Sequence, residues 1–144
     1  TTLSSNSVTV HGGELCGCHI DVSETPDLLP VLAALAATAE GTSCFTGCAR
    51  LRLKESDRIT STAAMVSALG GRAQELPQGL VVHGGSLTGG VVHSFGDHRI
   101  IMAAAVAAIR CVGPVILEGS SAVEKSYPTF FAHYSALGGE INGI

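Results

Sequence analysis

The chain contains no tryptophan and only two Tyr and four Phe among its 144 residues, although hydrophobic residues make up 46% of it. With so few rings, the core must be built largely from Ala, Val, Leu and Ile. A chain of this length can bury about two-thirds of the surface that it exposes when unfolded, so a core is feasible. Scarce aromatic rings and a net charge of −4 leave neither stacking platforms nor a broad basic track, which argues against a nucleic-acid partner.

Long hydrophobic runs and zinc-binding cysteine spacings are also absent. The longest apolar stretches, 28–39 and 100–109, are shorter than the ~20 residues that cross a bilayer, and no signal-peptide pattern precedes them. We therefore expect a soluble, cytoplasmic protein without a membrane partner. The five cysteines lack CxxC or CxxH spacing, so we expect no metal site and reduced, mostly buried thiols.

Positive charge is scarce and concentrated in one segment. Four of the eight Lys and Arg residues fall within nine positions, namely Arg50, Arg52, Lys54 and Arg58. A solvated charged face is the ordinary explanation of such a cluster. The alternative is that an acidic protein gathers its cations in order to bind a small, strongly anionic ligand.

The two halves of the chain resemble one another. Val10-His11-Gly12-Gly13 recurs 72 positions later as Val82-His83-Gly84-Gly85. Three more pairs keep the same order at nearly the same spacing: Asp27 with Asp97, Lys54 with Lys125, and the Ala-Leu-Gly-Gly strings at 68–71 and 136–139. This self-similarity predicts a chain about two repeats long, with a first unit at 1–76 and a second at 77–144.

Each unit is expected to contain β-α-β-α-β-β. Strands are predicted at 7–10, 15–20, 42–45, 72–75, 80–82, near 91 and at 114–117. Helices are predicted from Thr25-Pro26 to Gly41, from about 55 to 70, at 97–110 and at 128–137. This alternation favours an α/β fold in which sheets and helices form layers joined by right-handed crossovers. The first helix of each unit is apolar nearly all round and should be buried centrally.

Each of the four predicted helices carries polar residues at its start that are candidates for a binding site. In chain order they are Asp27; Lys54, Glu55 and Arg58; Asp97, His98 and Arg99; and Lys125. A helix start collects unpaired N–H groups and about half a positive charge, so several starts brought together beside Lys and Arg would form a phosphate or carboxylate site. Asp97 is expected to cap its helix. Arg58 and Arg99 oppose the helix dipole, so each requires a protein carboxylate or a ligand nearby.

Three strings then become recognisable: 53–58 (LKESDR), 97–99 (DHR) with Met102 and the Ala run after it, and 125–128 (KSYP). Together they closely resemble the 5-enolpyruvylshikimate-3-phosphate synthase family, over about residues 25–140. The resemblance implies a two-domain fold with three β-α-β-α-β-β units per domain, of which this chain looks like the C-terminal portion only. We therefore expect a fragment that depends on a missing upstream domain and that self-associates or packs loosely.

The resemblance also implies a reaction. The enolpyruvyl group of phosphoenolpyruvate would move onto the 5-hydroxyl of shikimate 3-phosphate through a tetrahedral adduct, with release of phosphate and without a metal or organic cofactor. This is a step of the shikimate pathway of aromatic amino acid biosynthesis. The isolated chain is expected to be inactive, because residues that hold much of the shikimate ring and its phosphate lie in the other domain.

Residue roles follow from the same resemblance. Asp27 would accept the hydroxyl proton, and Glu55 would deliver and later remove the proton at the methylene carbon. Lys54 would contact shikimate 3-phosphate together with Asp27. The phosphoenolpyruvate ligands would be Arg58 and Arg99 at its carboxylate and Lys125 at its phosphate. His98 and Arg50 are expected at most to border the site, and at Arg50 some family members have an amide instead.

Three other interpretations stay open at this point. The same fold serves the enolpyruvyl transferase that acts on UDP-N-acetylglucosamine, although the 54–58 string argues against that acceptor. The chain could also be a noncatalytic anion-binding repeat module, in which Asp27 and Glu55 are only helix caps and ion-pair partners. An RNA-end-processing relative built from similar units is disfavoured by the net charge.

Overall fold

The computed structural model describes residues 1–143. Its β-strands and α-helices follow one another along the chain. The strands are β1 (Thr2–Leu3), β2 (Val8–Thr9), β3 (His19–Asp21), β4 (Thr42–Thr46), β5 (Arg72–Leu76), β6 (Gly79–His83), β7 (Gly90–His93) and β8 (Val115–Glu118). The helices are α1 (Leu29–Ala36), α2 (Arg58–Ala68), α3 (His98–Ala108) and α4 (Phe130–Ala136). None of these helices has the length and apolar character needed to span a membrane.

The first unit forms a four-stranded sheet in the order β3-β4-β6-β5. Strands β3 and β4 are parallel and are connected through α1, whereas β4, β6 and β5 are antiparallel neighbours. Helix α2 connects β4 to β5 and packs against β5. The predicted β-α-β-α-β-β order is confirmed for this unit, because parallel strands require a crossover and antiparallel ones need only a turn.

The second unit contains the parallel pair β7 and β8, connected by α3 and followed by α4. Within the described residues, up to 143, this unit shows the order β-α-β-α, and no strand follows α4 there. The two closing strands expected for each unit are therefore seen in the first unit only.

The repeat is visible in the strand register. Leu3 faces Val8 in the β1–β2 hairpin, just as Glu75 faces Leu80 in the β5–β6 hairpin, 72 positions later. His19 faces Cys44, and Gly90 faces Val115 at a spacing of 71. The β1–β2 hairpin thus matches the closing hairpin of a unit.

Both strands of the β5–β6 hairpin belong to the sheet of the first unit. A boundary between residues 76 and 77 would separate its two strands. We therefore propose that the division between the units lies after His83.

The core lies between the two units. Helices α1 and α3 pack against each other, and their small residues Ala33, Ala34, Ala103 and Ala104 are at most 2% exposed. Small side chains let the two helices approach closely, which explains how a core can form with few rings. The expected central position of these two helices is confirmed.

Some local expectations are wrong in detail. The first helix begins as a 3-10 turn over Pro26–Leu28, and the Thr25 side chain does not cap it. Helix α2 begins at Arg58 rather than at Glu55 or Ser56, because Asp57 accepts a hydrogen bond from the Thr60 N–H and so caps the helix. The five cysteines are free thiols, but of these residues only Cys48 is fully buried.

Gly84 gives a test of this packing. A Cβ atom built on Gly84 would lie 1.6 Å from the carbonyl oxygen of Ala39, at the end of the first helical segment, whereas one built on Gly85 meets nothing within 4 Å. We expect Gly84→Ala to lower the free energy of unfolding by about 1–3 kcal/mol, because backbone must shift to make room. Gly85→Ala is the matched control and should leave urea unfolding unchanged, so equal effects of the two substitutions would contradict the packing.

Candidate functional site

The starts of three helical segments meet in one network of charged side chains. Asp27 lies in the 3-10 turn before α1, Arg58 is the first residue of α2, and Arg99 is the second residue of α3. The carboxylate of Asp27 accepts hydrogen bonds from Arg58 Nη1 at 2.7 Å and from Arg99 Nη2 at 2.9 Å. Residues far apart in sequence are therefore joined at one point.

Arg58 occupies the centre of this network and is fully buried. Its Nε donates to Asp97 Oδ2 at 2.8 Å, its Nη1 to Asp27, and its Nη2 to Glu55. Each of its three nitrogens thus faces a different carboxylate. Burial disfavours the charged guanidinium, but the hydrogen bond to Asp97 and the charges of Asp97 and Glu55 outweigh it and raise the pKa of Arg58.

Asp27 lies at the partly open side of the network. Lys54 Nζ lies 3.6 Å from its Oδ1, so three cations surround this carboxylate. Partial burial favours its protonated form, but the charge of Arg99, the hydrogen bond from Arg58 and the charge of Lys54 together lower the pKa of Asp27 below 3.8. The Asp27 carboxylate is therefore ionised at neutral pH.

Asp97 connects the network to the start of α3. Its Oδ1 accepts the N–H of Arg99 at 3.0 Å, which confirms the expected cap. Its Oδ2 accepts from Arg58 and also from the Ser56 hydroxyl at 3.1 Å. A carboxylate with 0% exposure is stable when its lone pairs are satisfied in this way.

Lys125 reaches the same region from the segment that precedes α4. It ends the 3-10 turn Ser120–Lys125, and its Nζ donates to the Gly96 carbonyl at 3.1 Å, one residue before Asp97. The chain turns sharply here, with φ of +52° at Phe95 and +72° at Gly96. A bulky residue at positive φ is uncommon and is often found at functional sites.

Two side chains at the start of α3 carry unsatisfied polar atoms. Arg99 Nε and His98 Nδ1 are buried and have no hydrogen-bond partner within residues 1–143. A buried donor without a partner costs about 1–3 kcal/mol. An anionic oxygen placed beside Arg99 would remove this cost.

The other two cations of the segment 50–58, Arg50 and Arg52, lie away from the Asp27 carboxylate. Arg52 donates to the carbonyls of Leu76 and Pro77 and forms ion pairs with Asp57 and Glu75, so it attaches the 3-10 turn Ala49–Leu53 to the β5–β6 hairpin. Arg50 lies exposed on that turn, and its side chain forms no hydrogen bond or ion pair within residues 1–143. Neither side chain joins the network.

The network contains the three carboxylates of Asp27, Glu55 and Asp97 and, counting Lys125, four cations. One positive charge is in excess, which suits a small anion. No cluster of potential metal ligands occurs in the described part of the chain. The arrangement can therefore bind an anion and place two partly exposed carboxylates, those of Asp27 and Glu55, beside it for proton transfer.

Sequence analysis identified the members of this network but not all of its connections. The structure brings together Asp27, Lys54, Glu55, Arg58 and Arg99, and Lys125 lies one carbonyl away. It does not bring in Arg50. The Ser56 hydroxyl was not anticipated, and its place in the string 53–58 was the only available signal.

Comparisons with known proteins agree on one family. The family model of EPSP synthase (3-phosphoshikimate 1-carboxyvinyltransferase) matches residues 2–133. A curated relative from Clostridium kluyveri named 3-phosphoshikimate 1-carboxyvinyltransferase is 44% identical over 138 residues, which cover 95% of this chain and 32% of the relative. A relative of the same name from Thermococcus kodakarensis is 45% identical over 124 residues, covering 86% and 31%. The chain thus spans about a third of the length of the curated relatives it matches.

Solved structures give the same result. A structure of EPSP synthase from Acinetobacter baumannii superposes with a TM-score of 0.84 at 34% identity, covering 90% of this chain and 32% of that one. The enolpyruvyl transferase NikO from Streptomyces tendae superposes with a TM-score of 0.72 at 22% identity, over 90% and 29% of the two chains, which shows a shared fold. The expected α/β class of repeated units is confirmed.

The buried ion pair predicts a large stability effect at Arg58. Arg58→Met should lower the free energy of unfolding by about 3–5 kcal/mol, because it leaves the Asp97 carboxylate buried without its cation. Arg72→Met removes an exposed arginine and should stay within about 0.5 kcal/mol of the parent. Urea unfolding at neutral pH compares the two, and a small effect at Arg58 would show that its carboxylate partners are not buried with it.

The lowered pKa of Asp27 predicts a pH-dependent contribution to stability. Ionised Asp27 stabilises the fold above pH 3.8, and this stabilisation is lost as the pH falls through the lower pKa of the folded state. The stability difference between the parent and Asp27→Asn should therefore be constant from about pH 7 to about pH 5 and shrink below about pH 4. Other acidic groups titrate in both proteins and cancel in this difference. A difference that is independent of pH would contradict the ion pairs of Asp27.

Proposed function

Because the chain belongs to the EPSP synthase (3-phosphoshikimate 1-carboxyvinyltransferase) family, we propose that it supplies part of the active site of an enzyme that transfers an enolpyruvyl group. The donor is phosphoenolpyruvate, the acceptor is the 5-hydroxyl of shikimate 3-phosphate, and phosphate is released. The proposal rests on one observation above all: three helix starts bring carboxylates and excess cations together around Asp27.

Asp27 and Glu55 are the proposed proton carriers. Asp27 is ionised and partly open to solvent, as a base that accepts the proton of a substrate hydroxyl must be. Glu55 is held at the opposite nitrogen of the same guanidinium, so two carboxylates stand on either side of one rigid group. Such fixed geometry suits successive proton transfers at neighbouring atoms of a substrate.

The cations are proposed to hold the anionic groups. Lys54 beside Asp27 would contact shikimate 3-phosphate, and Arg99 would offer its unpartnered Nε–H to the carboxylate of phosphoenolpyruvate. Lys125 would face the phosphate of phosphoenolpyruvate. A planar guanidinium matches a carboxylate, whereas a lysine ammonium acts as a point charge for phosphate.

Arg58 also belongs to the proposed phosphoenolpyruvate ligands, but with a second task. Its three nitrogens already donate to protein carboxylates and its side chain is fully buried, so phosphoenolpyruvate would reach the remaining Nη hydrogens only if Asp27 or Glu55 moved aside. Its main contribution is to fix Asp27, Glu55 and the start of α3. His98 and Arg50 are proposed to border the site without touching the reacting atoms.

Activity is proposed to require the rest of a longer polypeptide. The Asp27 side chain is 43% exposed, so the charged network is open to solvent on this side. Closure by further protein would expel water and strengthen every charge interaction at the site. With two small phosphorylated substrates, the reaction belongs in the cytoplasm.

Substrate titration by calorimetry tests the proposed ligand. Phosphoenolpyruvate and shikimate 3-phosphate should bind the 144-residue chain, and Arg99→Gln should weaken phosphoenolpyruvate binding at least about tenfold through loss of a charged donor. Arg72→Gln makes the same charge change on the exposed face of β5 and is the matched control. Binding of UDP-N-acetylglucosamine in place of shikimate 3-phosphate would identify the other acceptor, and equal effects of both substitutions would contradict the site.

We also expect the 144-residue chain alone to release no phosphate from the two substrates above background. The reason is the open position of Asp27, which leaves the reacting groups in water. Phosphate release at a normal enzymatic rate, measured with the purified chain, would refute the requirement for further protein.

A further inference from the structure

The segment 54–56, which brings Lys54 and Glu55 to the charged network, lies in no helix or strand. It connects the 3-10 turn Ala49–Leu53 to the start of α2. The backbone of Glu55 and Ser56 forms no hydrogen bond within residues 1–143. Because secondary structure does not fix this backbone, its conformation depends on contacts made by side chains.

The Lys54 side chain depends on this backbone more than the Glu55 side chain does. Glu55 is bonded to the buried guanidinium of Arg58. The Lys54 Nζ, by contrast, lies 3.6 Å from Asp27 Oδ1, which is beyond the usual length of a hydrogen bond. This is the only ion pair that Lys54 forms within residues 1–143. The place of its ammonium group is therefore set mainly by the course of the backbone at position 54.

Arg52 joins both ends of this segment to the β5–β6 hairpin. Its Nη1 lies 2.7 Å from Asp57 Oδ2 and 2.9 Å from Glu75 Oε1. Its Nη2 donates to the Leu76 carbonyl and its Nε to the Pro77 carbonyl, each at 3.0 Å. Arg52 precedes the segment and Asp57 follows it, so one guanidinium closes the loop and attaches it to the sheet of the first unit.

These four contacts give the Arg52 guanidinium one fixed orientation. An isolated ion pair at a protein surface contributes little, whereas a planar guanidinium with several acceptors fixes the groups around it. Arg52 and its two carboxylate partners are only partly exposed. Because Asp57 and Glu75 match its charge, Arg52 adds no excess positive charge for an anionic ligand. Its contribution to the site is therefore geometric.

The second unit holds its corresponding lysine in a different way. Lys125 is the counterpart of Lys54, and Val123 stands 71 positions after Arg52. The backbone N–H groups of the two residues that follow Lys125 donate to the Val123 carbonyl, at 3.1 and 2.8 Å. The matching N–H groups of the first unit, at 55 and 56, form no backbone hydrogen bond within residues 1–143. The Arg52 side chain thus does in the first unit what the backbone does in the second.

We propose that Arg52 is a positioning residue of the site. By closing the loop around the segment 54–56, it keeps Lys54 beside the Asp27 carboxylate, and it touches no substrate itself. The inference rests on the proposed function in one respect, namely that Lys54 and Glu55 serve the substrates. The ordering of the segment by Arg52 is independent of that function and is measured without any ligand.

NMR relaxation of the ligand-free 144-residue chain tests the ordering of the segment. Backbone order parameters at 54–56 should be about 0.85 in the parent, and Arg52→Lys should lower them below about 0.6. Lysine keeps the positive charge but cannot reach carboxylates and carbonyls in several directions at once, so the expected loss is one of geometry. The controls are Arg72→Gln, which removes an exposed charge from β5, and Gly84→Ala, which weakens the packing elsewhere. Both should leave the segment ordered.

Glu75→Ala is a second, milder variant, because it removes only one of the four contacts of Arg52 and lies on β5, away from the segment. It should lower the same order parameters by a smaller amount. Order parameters at 54–56 that Arg52→Lys leaves as in the parent would overturn the proposal, and Glu75→Ala decides in the same way if Arg52→Lys does not fold. A loss of order spread evenly over the chain would also overturn it.

Calorimetry then connects the segment to the proposed ligand. Arg52→Lys should bind shikimate 3-phosphate at least about fivefold more weakly than the parent, because Lys54 is no longer held in place. Gly84→Ala, the control for reduced stability, should bind it like the parent. Unchanged affinity of Arg52→Lys despite a disordered segment would overturn the positioning role. A parent that binds no shikimate 3-phosphate would contradict the proposed function, and the relaxation measurement alone would then decide whether Arg52 orders the segment.

Discussion

The burial of one guanidinium organises this molecule. Arg58 and Asp97 are both inaccessible to solvent, and an unpaired charge at either position would be strongly destabilising. Because Arg58 also donates to Asp27 and Glu55, the same interaction that joins α2 to α3 fixes the two carboxylates on its open side. The buried pair thus links the shape of the site to the core of the protein.

The repeat explains how these charges come together. Helices α1 and α3 occupy equivalent positions in two units and pack side by side through alanines, so the segments around Asp27 and Asp97 lie next to each other. The units are not equivalent in chemistry. Lys54 and Lys125 correspond, but Thr129 stands 71 positions after Arg58, so the second unit has no matching buried arginine. A symmetric scaffold therefore carries one asymmetric site.

Much of this arrangement could be predicted from the sequence, because it follows from local patterns. The alternation of strands and helices, the repeat and the position of Asp27 and Arg99 at helix starts all depend on nearby residues. The burial of Arg58 could not be predicted, since it depends on three carboxylates from separate segments. Arg52 looked equivalent to Arg58 in composition, yet it binds the β5–β6 hairpin, and only the tertiary structure distinguishes the two.

The most direct test of the central claim is to observe the Nε–H signals of Arg58 and Arg99 by ¹⁵N NMR during titration with phosphoenolpyruvate. Arg58 Nε–H is bonded to buried Asp97, so its signal should be protected from exchange and nearly constant. Arg99 Nε–H has no partner within residues 1–143, so its signal should shift strongly as the ligand binds. An Arg58 signal that exchanges freely with water, or an Arg99 signal that does not respond at saturation, would contradict the account.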